Sequence, residues 1–431
     1  MYIVFKISKK FQVCLLLTLG TFVSGSAYAD TLENALAKAY VYNAKLNYER
    51  AATRIANDDV TIARAGFLPQ IDGIGNYNRN NATGSYKNSG SIELRINQRL
   101  FDFVTQNVFL SAQVKMQAQR ESFRNAEQNL FLDVIKAYAN VYQTRRIAEL
   151  RRENLAALEE LVRSNQAKLD VGEVAQVDFA QAQAARSFAV SEYSLARSEA
   201  KSAEAIYQQV VGDYPAKLES PSGAKELPES LDIGYQIAVV THPAILYAKY
   251  LVDASSYNVK AKEGAMFPKL DLSASMSYNR AYGIPGGDSV SQSVGLSLSV
   301  PIFEGGRTSA QVRQSREQFE QARLQFDLAQ SDVKQALASA WFQLEGTRAS
   351  VVAYRESVRA AEIALKGRMQ ENRLGQATTL DVLKSRTELI NAQISLVTAE
   401  RNAIIASYTV QSSIGRLTAS YLGLKATQDT H

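Results

Sequence analysis

Two stretches of this chain contain no proline: Asp102 to Tyr214, and Ile302 to the C-terminus. Both are rich in Ala, Gln, Glu, Arg and Leu, which lose little on entering a helix. As continuous helix, Phe101 to about Gln166 and Phe303 to about Asn372 would each span roughly 90–100 Å at ~1.5 Å per residue. A single globular domain does not need helices that long. Apolar positions such as Val134, Tyr138 and Val141, then Leu155, Leu158 and Val162, recur at three- and four-residue steps, as packed helices require.

The two stretches belong to a chain written twice. "FLPQID" (Phe67–Asp72) answers to "MFPKLD" (Met266–Asp271), 199 positions on. "IELRINQRLFD" (Ile92–Asp102) answers to "VGLSLSVPIFE" (Val294–Glu304), 202 on, and "YNAKL" at Tyr42 to "THPAI" at Thr241, 199 on. "VGEVAQVD" (Val171–Asp178) returns as "LGQATTLD" (Leu374–Asp381), 203 on. Four matches in one order at nearly one spacing mean a duplicated module. The expected halves are residues 30–221 and 222–419, with a tail at 420–431. The seam "DYPAKLESPSGAKELPES" (Asp213–Ser230) holds three of the eight prolines and reads as an exposed connector.

Ahead of each long helical stretch the hydrophobic period changes to two. Leu270, Leu272, Ala274, Met276 and Tyr278 alternate with Asp271, Ser273, Ser275, Ser277 and Asn279. Val294, Leu296, Leu298, Val300 and Ile302 alternate with Ser, Gly and Pro, and Ile92, Leu94, Ile96 and Leu100 with Glu93, Arg95, Asn97 and Arg99. These are strands with one apolar and one polar face. Hairpins are expected over about 70–101 and 269–303, with loops at Asn81–Gly90 and Tyr282–Ser289. Long helices follow over about 102–212 and 304–416. Shorter helices, Leu32–Tyr42, Lys45–Arg64, Leu231–Val240 and Ala244–Gly264, precede each hairpin.

The N-terminus carries Lys6, Lys9 and Lys10, an apolar run from Val13 to Val23, and Ala27-Tyr28-Ala29. That is the pattern of a secretory signal over residues 1–29, with an apolar core too short to span a bilayer. Its removal takes Cys14, the only cysteine, and lowers the net charge from +5 to +2, since three lysines and no acidic residue leave. A mature chain without thiols has no disulfide or thiolate metal site, and so small a net charge gives little support to nucleic-acid binding. The only histidines, His242 and His431, have no second ligand set, and no nucleophile motif occurs, so neither cofactor nor enzymatic activity is expected. Gly305-Gly306 lacks a phosphate-binding lysine and reads as a strand-to-helix hinge.

Four amphipathic strands suit a barrel wall between lipid and water. They cannot close a barrel alone, and an open edge in hydrocarbon leaves backbone groups unsatisfied. Pooling strands from several chains is the remedy, and three chains would supply twelve, enough for an aqueous lumen. Glu93, Arg95 and Arg99 would face that lumen; Tyr77, Tyr86, Tyr278 and Tyr282 lie near strand ends, where an interfacial girdle sits. An elongated periplasmic coiled-coil adaptor is the rival reading, but it has no use for lipid-suited strands.

The duplicated halves, "FLPQID" and "MFPKLD" entering the strands, "VPIFEGGR" (Val300–Arg307) leaving the last one, and the paired VGxxxxVD and LGxxxxLD segments resemble the TolC family of outer-membrane efflux and export proteins. The resemblance implies a mixed α/β membrane protein. A homotrimeric, 12-stranded β-barrel, four strands per chain, would sit in outer-membrane lipid and continue into a long periplasmic α-helical coiled-coil tunnel. It implies a periplasmic adaptor and an inner-membrane RND or ABC transporter as partners, with drugs or secreted proteins as cargo. Gly172 and Gly375 then reverse the helices at the periplasmic tip. Asp381 matches the family's constriction carboxylate, which three-fold symmetry makes a cation-selective ring; Asp178 matches a position that helps hold the tip closed. Without the resemblance, both aspartates read as helix-start carboxylates favoured by the dipole. The sequence departs from the family at Lys384, where a second carboxylate ring would lie, and at Asn372 and Ala377, which replace a locking Tyr and Arg.

Overall fold

The computed structural model describes residues 31–82, 85–282 and 287–424, with the backbone alone at 81–82 and 85–87. The signal segment 1–29 with Cys14, the Tyr86 side chain, residues 425–431 of the tail and His431 lie outside that description. The elements run in chain order: α1 (Leu32–Tyr42), α2 (Ala44–Ala65), β1 (Gln70–Ala82), β2 (Ser85–Phe101), α3 (Phe103–Asp170) and α4 (Gln176–Val211). The order then repeats as α5 (Leu231–Thr241), α6 (Pro243–Gly264), β3 (Lys269–Tyr282), β4 (Asp288–Ser299), α7 (Arg307–Arg373) and α8 (Thr379–Ser413). At 68 and 67 residues, α3 and α7 each reach about 100 Å. Among the described residues no helix is long and apolar enough to cross a membrane.

The four strands form one antiparallel sheet in the order β1-β2-β3-β4, so β1 and β4 are both open edges. Its register puts Ile71 opposite Ile96, Ile92 opposite Tyr278, Leu94 opposite Met276, Ala274 opposite Val294 and Leu272 opposite Leu296. One face is therefore mostly apolar, interrupted by Gln292 opposite Met276 and, at the far end, by Arg280 opposite Asp288. It is also bare: Val294 is 79% exposed, and Ile92 70%. The other face is a polar lattice, in which Ser275 bonds Ser293 at 3.0 Å and Ser277 bonds Ser291 at 2.7 Å. The loop expected at Asn81–Gly90 is mostly strand, because the ladder runs on to Ala82 opposite Ser85. Backbone pairing there continues past the apolar alternation that marks the strand in sequence.

The core forms a belt around the long helices, not a globule at one end. Phe131, Val134, Tyr138 and Val141 of α3 pack with Ala35 and Leu36 of α1 and Tyr207 of α4. In the second half Val333 and Leu337 of α7 pack with Ala238, Ile245, Val410 and Ile414. The seam is largely exposed, as its composition implies, and is also pinned across this belt. Pro215 and Pro221 are buried. Arg145 donates to the carbonyls of Pro215 and Ala216 at 2.9 and 2.6 Å, and the Tyr138 hydroxyl donates to that of Glu219 at 2.9 Å. These donors satisfy an irregular backbone that has no ladder of its own.

The duplication reaches the helix caps. Asn43 Oδ1 accepts from the N–H groups of Lys45 and Leu46 at 2.9 and 3.3 Å to start α2. At the matching place, 199 positions on, His242 Nδ1 accepts from the N–H of Ala244 at 3.2 Å to start α6. Only a ring nitrogen without a proton can accept, and burial pushes the His242 pKa from 6.5 down to about 4. Because the folded value lies below the unfolded one, stability is intact above pH 6.5 and falls as pH drops toward 4. The full loss is about 3 kcal/mol. His242→Asn, the first half's own solution, is expected to keep the cap and flatten this acid limb. Thermal midpoints measured near neutral pH and in mild acid check this; equal acid shifts in both proteins would refute it.

Candidate functional site

The site with most to say is the far end of the long helices from the sheet, where both halves reverse. After α3, Gly172 takes φ +77°, and its N–H and that of Glu173 bond back to the carbonyls of Leu169 and Lys168 at 3.0 and 2.8 Å. After α7, Gly375 takes φ +74°, and its N–H and that of Gln376 bond to Asn372 and Glu371 at 3.1 and 2.9 Å. Each turn returns the last carbonyls of one helix and starts the next within a few residues. A side chain at either glycine would meet open space, so the left-handed backbone alone demands glycine.

The two following helices start differently. Asp381 sits in the first turn of α8 and closes a capping box with Thr378. Its Oδ2 accepts from the Thr378 backbone N–H at 3.0 Å and hydroxyl at 2.7 Å, while Thr378 Oγ1 accepts from the Asp381 N–H at 3.2 Å. Those bonds, with lesser help from Arg368 and Lys384, hold its pKa below the usual carboxylate range. Lys384, one turn on, is exposed. Asp178 occupies the same place in α4, but Ala175 at the cap offers no side chain. Its half-buried carboxylate has no hydrogen bond or ion pair among the described residues of the chain. Asn372 and Ala377 do meet: the Asn372 amide donates to the Ala377 carbonyl at 2.8 Å. The bond ties a turn to itself, a role the sequence comparison with the family's Tyr and Arg did not suggest. Just above the turns Leu383 packs with Leu158 and Ala189, joining α8 to α3 and α4.

At the other end, Glu93 and Arg95 share the polar face of β2 and form an ion pair at 2.8 Å. Arg99 lies at the foot of the same strand, where its guanidinium reaches Asp102 at 3.1 Å, Thr105 at 2.9 Å and Asp271 at 3.5 Å. It therefore fastens strand to helix as well as lying at the base of the polar face. Gly305 and Gly306, at φ +62° and +83°, make the bend between β4 and α7, with Gly306 as the helix cap. Tyr77 and Tyr282 lie with ring centroids 6.2 Å apart near the end of the sheet remote from the helices, and the Tyr278 hydroxyl donates to Asp288 at 2.7 Å.

A sheet with one lipid-suited face, one watery face and two open edges, carried on helices of about 100 Å, defines one protomer of an outer-membrane export channel. The chain belongs to the outer membrane efflux protein family, whose model matches residues 35–213 and 234–416, one stretch in each half. It is 46% identical to the outer membrane efflux protein BepC of Brucella suis biovar 1 (strain 1330), over 99% of this chain and 94% of that protein. It is 25% identical to the outer membrane protein TolC of Escherichia coli (strain K12), over 91% of this chain and 84% of that one. Among solved structures it resembles the CusC channel, with TM-score 0.79 and 18% identity over 90% of this chain and 92% of that chain. The chain is thus an outer-membrane channel component with a periplasmic helical tunnel, an exit duct and not an enzyme. Channels of this family work as trimers with adaptor and inner-membrane pump partners.

Proposed function

We propose that this duct serves drug efflux: three copies receive small toxic compounds from an inner-membrane RND pump through a periplasmic adaptor and release them outside the cell. The observation that carries this reading is the 46% identity, along nearly the whole chain, to a protein named for efflux. In this reading residues 1–29 are the export signal and the duplicated halves divide near Pro221. The two tip turns form the closed end of the pore. Asp381 supplies a ring of three carboxylates there, tuned by Lys384, and Asp178 supplies a link that holds neighbouring helices shut. Glu93, Arg95 and Arg99 line the barrel lumen, and Gly305-Gly306 lets each strand pass into its helix.

The cargo is decided by the partners, so the test is to cross-link the tagged protein in cells and identify what is captured. Recovery of an adaptor with an RND pump is expected. Recovery of an adaptor with an ABC exporter alone would overturn drug efflux in favour of protein secretion. Efficient capture of the trimer with neither would remove the tripartite reading and leave the fold untouched.

A further inference from the structure

The duplication exposes one place where the halves differ in charge. Arg152 of α3 and Arg197 of α4 correspond, 203 positions on, to Arg355 of α7 and Glu400 of α8. In the second half these side chains form an ion pair, Nη2 to Oε1, at 3.4 Å. In the first half arginine stands where the acid should be, and Arg152 and Arg197 line one open groove of about 720 Å³ together with Lys217 of the connector. Glu149, the one carboxylate of that lining, is already bonded to Arg146 at 2.6 Å. Arg145 is likewise taken up by Glu204 at 2.7 Å and by the connector carbonyls. Arg152, Arg197 and Lys217 are exposed and have no ion pair or hydrogen bond among the described residues.

Three unpaired cations around one groove repel each other, and no burial of their own compensates them. An anion between them would. We infer that this groove binds an anionic polymer from outside the tunnel, namely the carboxylate-bearing peptides of the cell wall. The connector forms one side of the groove, and in the proposed trimer such a strap would lie outside a conducting lumen, so the groove would face outward. Arg152 stands 18 residues from the end of α3, so the groove lies roughly 30 Å above the tip and roughly 70 Å below the sheet. A tunnel of that length runs through the periplasmic layer that holds the wall. A lone phosphate is usually gripped by converging backbone N–H groups or a bidentate arginine fork. Here the cations are spread over two helices and a connector, which suits charges spaced along a chain. Tyr142 and Tyr193 add amphipathic rings beside them.

The test is co-sedimentation of the detergent-purified trimer with isolated peptidoglycan sacculi. The wild-type protein is expected to be retained and to be released by salt, as exposed ion pairs are. Arg197→Glu gives Arg152 the partner that Arg355 has in the second half, so the variant is expected to fold and to lose binding about tenfold, as Lys217→Glu should less steeply. Sacculi whose carboxyls have been amidated are expected to retain nothing. Equal retention of wild type and Arg197→Glu, or undiminished binding to amidated sacculi, would overturn the proposal. So would wild-type protein that ignores sacculi but binds a poly-glutamate resin, which would make the groove a site for an acidic protein. Drug-export measurements are separate from this assay, so either reading can fail alone.

Discussion

Replacing Asp381 by asparagine is expected to abolish most of the cation preference of the channel in planar-bilayer recordings while leaving the tip folded. The difficulty with this residue is that it has two jobs. It completes the capping box that starts α8, and in a three-fold assembly it would place three negative charges around one axis. Asparagine keeps an oxygen for the Thr378 N–H and hydroxyl but carries no charge, so it separates the two roles. Thr378→Ala is the converse: it removes the cap, worth about 1 kcal/mol, and keeps the charge. If the aspartate matters only as a cap, Thr378→Ala will widen the pore or raise its noise, and Asp381→Asn will leave selectivity unchanged; that pair of results would take Asp381 out of the filter. The pH dependence adds a second check. Because the Thr378 bonds hold the folded pKa below the ordinary carboxylate value, the charge and its bonds are fully present above that value. They disappear only as pH falls through the lowered one. In the ring itself the three carboxylates repel one another, which works against this effect. Cation preference should therefore fade as pH drops through the carboxylate range, and Asp381→Asn should remove that pH dependence.

Lys384 bears on the size of this effect. It is exposed one turn beyond Asp381 and contributes to lowering its pKa. A cation so placed stabilises the carboxylate while weakening the field it would project into the proposed pore. The sequence alone showed that these two residues are three apart on a helix, which settles that they are neighbours. It could not show that Thr378, and not Lys384, is the main partner, because that depends on the cap geometry at the turn.

Much of the fold could be read from residue patterns, for physical reasons that also explain what could not. The strands announced themselves because lipid on one side and water on the other impose period two, as at Leu270–Tyr278. The reversals at Gly172 and Gly375 were legible because a left-handed turn between two helix-forming runs leaves glycine as the unstrained residue. What escaped was structure held by backbone pairing or by distant side chains. The ladder continues through Asn81–Ala82 and Ser85–Gly90 on hydrogen bonds, without apolar alternation to mark it. The connector carries the prolines of a loop but is fixed by Arg145 and Tyr138, some 70 to 80 residues away in the chain. The Asn372–Ala377 bond joins a side chain to a carbonyl, which no residue-by-residue comparison reveals. The Arg197-for-Glu400 exchange was in the sequence throughout; it acquires meaning once the helices are seen to pair.

Val294→Arg is expected to have the larger effect of the two, eliminating the outer-membrane trimer. Val294 lies midway along β4, is 79% exposed in the single chain and pairs with Ala274 on the apolar face. If that face meets lipid, arginine there costs about 2–4 kcal/mol per copy near the bilayer midplane, and each trimer carries three. β4 is also an open edge of the sheet, so a charge that drives it from the hydrocarbon removes a strand that the next chain needs for closure. Heat-modifiable trimer bands from outer-membrane fractions provide the readout. Ser275→Arg is the matched control, from the opposite face, where the Ser275 hydroxyl bonds Ser293 and Arg95 stands opposite on β2. Water in the lumen solvates the added charge, so trimers should persist and only conductance change. Loss of trimers in both variants would mean that the strands tolerate no bulk at this level. Loss in Ser275→Arg alone would reverse the faces of the sheet, and with them the assignment of Glu93 and Arg95 to the lumen. The expected outcome, loss in Val294→Arg alone, ties the alternation written in the sequence to the membrane that demands it.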